Sequence, residues 1–156
     1  MPRVPFTIDE YVRWSDVDHA GIIFYGAYVR FFEIAETEMF RSVGLPYGEL
    51  FDRLEIWLPR VHLDCDFSYP ARLDDQMRVA AYVPRFGTSS ITLQFDVVHL
   101  GTGRLAAVGH EVLVSTDRKA LRPTPLPAEL RRALAPHALG EAEARSALGL
   151  TSEVGA

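Results

Sequence analysis

Two carboxylates and an imidazole, Asp16, Asp18 and His19, fall within four positions of the stretch Trp14-Ser15-Asp16-Val17-Asp18-His19-Ala20-Gly21. Three chemistries suit such a group. Carboxylate and imidazole are metal ligands, but neighbours within one loop rarely complete a coordination sphere, and no His-x-x-x-His or cysteine pair supplies the rest. An aspartate ahead of a helix can instead cap its unpaired N–H groups or close an Asx-turn. A carboxylate beside a helix N-terminus can also attack a polarised carbonyl, or activate water to attack it, with helix N–H groups holding the oxyanion. On local composition alone the capping and catalytic readings both stand.

The elements around the acidic loop decide how it is held. Residues 4–14 read as a strand, with Phe6, Ile8, Val12 and Trp14 on one parity and Glu10 interrupting it. After the loop the period changes. Tyr28, Phe31, Phe32, Ala35, Met39 and Val43 recur at helical spacing, and Gly44 with Pro46 supplies the stop. The stretch from Pro46 to Glu55 carries no clear period. Alternation then resumes in three sets: Val61, Leu63, Cys65 and Phe67; Met77, Val79, Ala81 and Val83; Ile91, Leu93, Phe95 and Val97. A further strand covers about Arg104 to Thr116, and turn signals at Tyr69-Pro70, Pro84-Arg85-Phe86-Gly87 and Gly101-Thr102-Gly103 imply antiparallel neighbours. The proline-rich run Pro123–Pro127 sets up a short helix over 128–134, and the tail beyond Pro136 reads as a frayed helix without a role. The expectation is an α+β fold: one curved antiparallel sheet of about five strands wrapped around one long central helix, with a short C-terminal helix. One domain over 1–136 and a tail over 137–156 follow.

Composition bounds the function. The chain of 156 residues is 48% hydrophobic and 24% charged, ordinary for a globular domain. A net charge of −5 argues against a general nucleic-acid binder, which needs a basic surface to neutralise phosphates. Cys65, the single cysteine, sits on an alternating strand and reads as a small buried hydrophobe, so neither an intrachain disulfide nor a multi-cysteine metal site is available. No run approaches about 18 apolar residues, and the first residues lack a signal-type apolar segment. A cytoplasmic protein without metal, cofactor or membrane span is expected.

The run from Asp16 through Phe24-Tyr25-Gly26-Ala27-Tyr28 to Phe31-Phe32-Glu33 resembles the signature of the 4-hydroxybenzoyl-CoA thioesterase family of hotdog-fold enzymes: Asp-x-Asp-x-x-Gly, hydrophobic residues, then an aromatic position entering a helix that continues to Phe-Phe-Glu. The resemblance continues through Tyr69–Asp75, Arg85–Ser90, Gly109–Val112 and Arg122–Pro127, so it spans about residues 5 to 135.

That resemblance implies a hotdog fold and hydrolysis of an acyl-CoA thioester to a free acid and coenzyme A. Asp18 matches the family's catalytic carboxylate, acting as nucleophile or general base. Tyr25 stands where a backbone N–H polarises the thioester carbonyl; many relatives carry histidine there, and His19 is no automatic substitute. Asp16, His19 and Glu33 are auxiliary candidates, with Asp16 ordering the loop or raising the pKa of Asp18. Arg85, Thr88, Ser89, Ser90, Arg118 and Lys119 are candidates for holding coenzyme A, Arg85 and Lys119 for its phosphates. A homo-oligomer, a homotetramer built from dimers, is implied. Two rivals share the fold: a hydratase or dehydratase on acyl thioesters, whose histidine-bearing Phe-Pro-Gly loop is absent, and a non-catalytic acyl-thioester binder.

Overall fold

The helical spacing of the aromatic run becomes α1 (Ala27–Ser42), with Phe31, Phe32, Ala35, Met39 and Phe40 fully buried. The computed structural model describes residues 2–150. Around α1 lie β1 (Phe6–Tyr11), β3 (Arg60–Phe67), β4 (Gln76–Phe86), β5 (Ser90–His99) and β6 (Arg104–Val114), in one antiparallel sheet ordered β1-β4-β5-β6-β3. Two short strands, β2 (Ile56–Trp57) and β7 (Thr116–Asp117), pair separately. The helices α2 (Tyr47–Leu54), α3 (Ala128–Leu134) and α4 (Glu141–Ala147) complete the chain. This is the hotdog arrangement.

The helix and sheet meet tightly at one point. Phe32 stacks on Phe95 with ring centroids 4.6 Å apart, over Gly109. A Cβ at Gly109 would stand 2.3 Å from Phe32 Cζ, so only glycine admits the ring there.

Several elements differ from the sequence reading, each for a local reason. The first strand ends at Tyr11 rather than 14, because the chain bends into a 3₁₀ turn at Trp14–Asp16; Trp14 is 81% exposed despite its apolar parity. The stretch after Pro46 is helical. Leu50 of α2 is buried, and the Tyr47 ring lies 4.8 Å from that of Phe40, so packing against α1 sets its conformation. Pro84 lies inside β4, where a register shift between Tyr82 and Arg85 accommodates the missing N–H.

The tail through Leu150 is folded, while residues 151–156 of the expected tail lie outside the described residues. Leu139 and Ala144 pack on Tyr82, and Leu150 packs on Val98 and Leu105, so α4 covers part of the sheet's outer face. Under it, fully buried Asp96 accepts hydrogen bonds from Tyr82 Oη (2.7 Å) and Gln94 Nε2 (3.3 Å), with Arg145 Nε at 3.6 Å.

The alternation in β3 predicts one buried face. Instead Val61, Leu63 and Phe67 are 62%, 49% and 55% exposed, because β3 is an edge strand whose helix-side face α1 only partly covers. Among the described residues no helix is long and apolar enough to cross a membrane.

Candidate active site

Asp16 builds the acidic loop from within. Its carboxylate accepts hydrogen bonds from the Arg13 N–H (Oδ2, 2.8 Å) and from Arg30 Nε on α1 (Oδ1, 2.8 Å), and a second Arg30 nitrogen reaches Oδ2. Its backbone carbonyl accepts the Phe24 N–H at 2.9 Å, so both sides of the loop close on one residue. Burial pushes the Asp16 carboxyl up, and the Arg30 guanidinium and the Arg13 N–H together outweigh it, leaving the pKa below the usual aspartate value. A carboxyl depressed in the folded state stabilises the fold above its unfolded pKa and loses that contribution as pH falls through its folded one. Asp16→Asn is therefore expected to cost about 1–3 kcal/mol at pH 7. Urea denaturation should show the gap from wild type closing below about pH 4. A gap unchanged down to pH 2.5 would contradict this account.

Asp18 occupies the tip of the same loop. Its N–H donates to the Ile22 carbonyl (2.9 Å) and its carbonyl accepts the Gly21 N–H (3.0 Å), closing a tight turn in which Gly21 takes φ +77°. Ala20 N–H donates to Oδ1 at 2.8 Å, which orients the carboxylate while the side chain stays exposed. Ile22 bridges Arg72, and the Ile23 N–H donates to the Ala71 carbonyl at 2.8 Å, pinning the loop to the approach to β4. The chain then enters α1. Ala27 N–H bonds back to Phe24, whereas among the described residues the N–H groups of Tyr25 and Gly26 meet no acceptor. Free N–H donors at the positive end of a helix can hold negative charge developing on an oxygen.

Tyr25 and Gly26 border a furrow between α1 and β3. One cavity of about 350 Å³ is lined by Ile22, Tyr25, Tyr28, Phe67 and Tyr69 among others; a second of about 340 Å³ adds Gly26, Val29, Leu63 and Cys65 and shares Tyr25, Tyr28 and Phe67. The Tyr25 side chain is 80% exposed, so its backbone rather than its hydroxyl is held in place. His19 is exposed and lines neither cavity. Burial, then the neighbouring Asp66 and Asp64 carboxylates, push the Cys65 thiol up to about 11, which makes it a poor nucleophile at neutral pH.

Farther along the furrow lies a polar cluster. Glu33 and Glu36 of α1, Tyr47 of α2, Arg60 of β3 and Glu111 of β6 line a cavity of about 450 Å³ that shares Val29 and Leu63 with the one below. Arg60 pairs with Glu36, which also accepts the Tyr47 hydroxyl. Only Glu33 of these was singled out from sequence. Glu111 had a visible signal: it shares the inward parity of Gly109 and Leu113, where a charged residue is out of place.

The coenzyme A candidates lie elsewhere. Asp18 lies on the loop that Ile22 and Ile23 pin to Arg72 and Ala71, ahead of β4, whereas Arg85, Thr88, Ser89 and Ser90 surround the far end of that strand, whose 11 residues span about 30 Å. The Ser115 N–H donates to the Ser89 carbonyl, which ties the chain just before Arg118 and Lys119 to the same end. Arg118 is already engaged, bonding Asp52 (2.8 Å) and the Phe51 carbonyl (3.0 Å) and stacking 4.4 Å from the Trp57 ring centroid. Arg85 and Lys119 are exposed. Thus Asp18 and Tyr25 share one loop, with Tyr25 but not Asp18 lining the furrow, and the cationic candidates lie at the other end of the sheet.

Comparison with known proteins gives the following. The family model described as the thioesterase-like superfamily matches residues 12–134. The acyl-CoA thioester hydrolase YbgC of Escherichia coli O6:H1 is 25% identical over 116 residues, 74% of this chain and 85% of its own. The 1,4-dihydroxy-2-naphthoyl-CoA hydrolase of Thermosynechococcus vestitus is 26% identical over 125 residues, 78% of this chain and 86% of its own. Among solved structures, a gentisyl-coenzyme A thioesterase superposes with a TM-score of 0.70 at 28% identity, covering 83% of this chain and 98% of that one.

Proposed function

The chain belongs to the thioesterase-like superfamily, and on that premise we propose that it is an acyl-CoA thioesterase with Asp18 as its reacting carboxylate. The observation that carries this reading is the exposed Asp18 carboxylate on the loop leading into the two unpaired N–H groups at the start of α1. A thioester carbonyl placed over the helix start has its oxygen held by the Tyr25 N–H, a donor of a kind worth about 3–4 kcal/mol as negative charge develops. Asp18 then takes a proton from water as the water oxygen bonds to the acyl carbon, or bonds to that carbon itself to give a mixed anhydride that water opens. In either route the C–S bond breaks, and coenzyme A leaves as a thiolate that takes up a proton.

The placement of the cationic candidates supports an oligomer as the working unit. β3 leaves a strand edge unpaired and an apolar face exposed. Antiparallel pairing of β3 with β3 of a second copy about a two-fold axis sets the Arg60 end of one chain beside the Phe67 end of the other. Arg85 and Lys119 of one copy then approach the Asp18 site of its partner, where coenzyme A phosphates would lie. The test of function is release of free thiol from a panel of aromatic, short-chain and long-chain acyl-CoA esters. Turnover well above the spontaneous rate for at least one class is expected; background rates throughout would refute the proposal.

A further inference from the structure

His99, at the end of β5, is a buried imidazole that the proposed reaction does not use, and both of its ring nitrogens are committed. The Thr102 N–H donates to Nδ1 at 3.1 Å, and the Thr102 hydroxyl lies 2.9 Å from the same atom. Nδ1 is therefore an acceptor, the ring proton sits on Nε2, and Nε2 donates to Asp75 Oδ2 at 2.9 Å. Thr102 gains no base from this arrangement, because its own N–H occupies the Nδ1 lone pair. The hairpin closes tightly on the ring: a Cβ at Gly101 would stand 3.0 Å from His99 Cε1.

Two lines of contact run from this imidazole to the acidic loop and the furrow. The first passes through Asp75. Its Oδ2 also accepts the Arg72 N–H at 2.8 Å, closing the turn in which Asp74 takes φ +70°, a left-handed conformation uncommon outside glycine. Arg72 bridges Ile22, and the Ile22 carbonyl accepts the Asp18 N–H. The second line passes through Tyr69. Its ring centroid lies 5.0 Å from that of His99, and the Arg104 guanidinium at the start of β6 stands 4.8 Å from it. Tyr69 lines the cavity that Ile22 and Tyr25 also line. One side chain thus braces both the strip that pins the Asp18 loop and a wall of the furrow.

We infer that His99 is a positioning residue of the hydrolase site. Its Nε2–H, through Asp75 and the Arg72 turn, holds the Asp18 loop in register, and its ring holds Tyr69 in the furrow wall. It touches neither the thioester nor Asp18. The donor and the ring are separable: phenylalanine keeps a ring beside Tyr69 and loses the donor, whereas glutamine keeps a donor near the Nε2 position and loses the ring. This inference rests on the thioesterase reading and adds to it a residue outside the furrow.

The experiment measures kcat and KM by thiol release from whichever of benzoyl-, hexanoyl- and palmitoyl-CoA wild type turns over fastest, with rates scaled to the folded fraction given by circular dichroism. His99→Phe is expected to lower kcat by about tenfold or more at nearly unchanged KM, since small misplacements of a reacting group are costly in rate. His99→Gln should recover most of that kcat and instead raise KM by about threefold or more, the mark of lost binding rather than lost chemistry. Thr102→Val, at an exposed turn position, removes the hydroxyl from Nδ1 and should lower kcat by about threefold. A hairpin clip without reach to the site makes a different forecast: lower melting temperatures, with kcat and KM of the folded enzyme unchanged. That result in the three variants overturns this inference and leaves the hydrolase reading standing. Identical effects of His99→Phe and His99→Gln on both constants overturn it as well. No release by wild type from any ester overturns the hydrolase reading and this inference with it. Should His99→Phe fail to fold, His99→Gln and Thr102→Val decide the matter.

Discussion

Asp18→Asn is expected to lower kcat by about 10³-fold or more, because a positioned general base contributes 10²–10⁴-fold and an obligatory nucleophile still more. The substitution is a clean one. The Ala20 N–H bond to Oδ1 can be kept by the asparagine amide oxygen, and the loop is closed independently by the Asp16 and Ile22 contacts. Thermal stability should therefore change little and acyl-CoA should still bind, as equilibrium titration would register. Capping by Asp18 makes the opposite forecast: a less stable protein with nearly full turnover. Single turnover in ¹⁸O-water separates the two routes of attack. An anhydride opened at its aspartyl carbonyl leaves label in Asp18, whereas direct attack by water places it only in the released acid.

Breaking the strand edge should be almost as damaging, although it touches no reacting group. Val61→Arg puts a charge on the exposed apolar face of β3 away from the two furrow cavities, and light scattering is expected to show single chains where the proposed pairing gives wild type dimers or larger assemblies. kcat/KM should fall by about 100-fold or more, the scale on which lost positioning affects rates. A mixing experiment is sharper. Asp18→Asn chains and chains carrying both Arg85→Ala and Lys119→Ala should each be impaired. Mixed dimers should recover one intact site, because the proposed pairing sets Asp18 of the second chain toward Arg85 and Lys119 of the first. Absence of recovery on mixing, with exchange verified, would place each site within one chain.

How far these features could be read in the residues depends on how local their causes are. The α1 stripe and the alternation of β4, β5 and β6 report burial against a single core, and those elements lie where the periods put them. Asp16 and Asp18 were legible as a group, yet their division of labour was not. Arg30, fourteen positions away, makes Asp16 a structural anchor. Helix α2 shows no period in the sequence and α4 reads only as a frayed helix, because eight- and seven-residue helices depend on tertiary contacts rather than propensity. β3 misled in the other direction: its alternation is real, but the face it marks is not buried by this chain. Arg118 looked free from its loop position, and its engagement with Asp52 and Trp57 rests on contacts more than sixty residues apart in sequence.

The two edges of the sheet are unequal, and that bears on how the protein avoids runaway self-association. β1 is six residues long and carries charges: Asp9 pairs with Arg78 at 2.8 Å, and Glu10 lies within reach of Arg13 and Arg30. Short, charged edges resist the addition of further strands. β3 is longer and offers an apolar face. A two-fold pair consumes both β3 edges and presents only β1 edges to the outside, so strand addition ends after one step instead of propagating into a fibril.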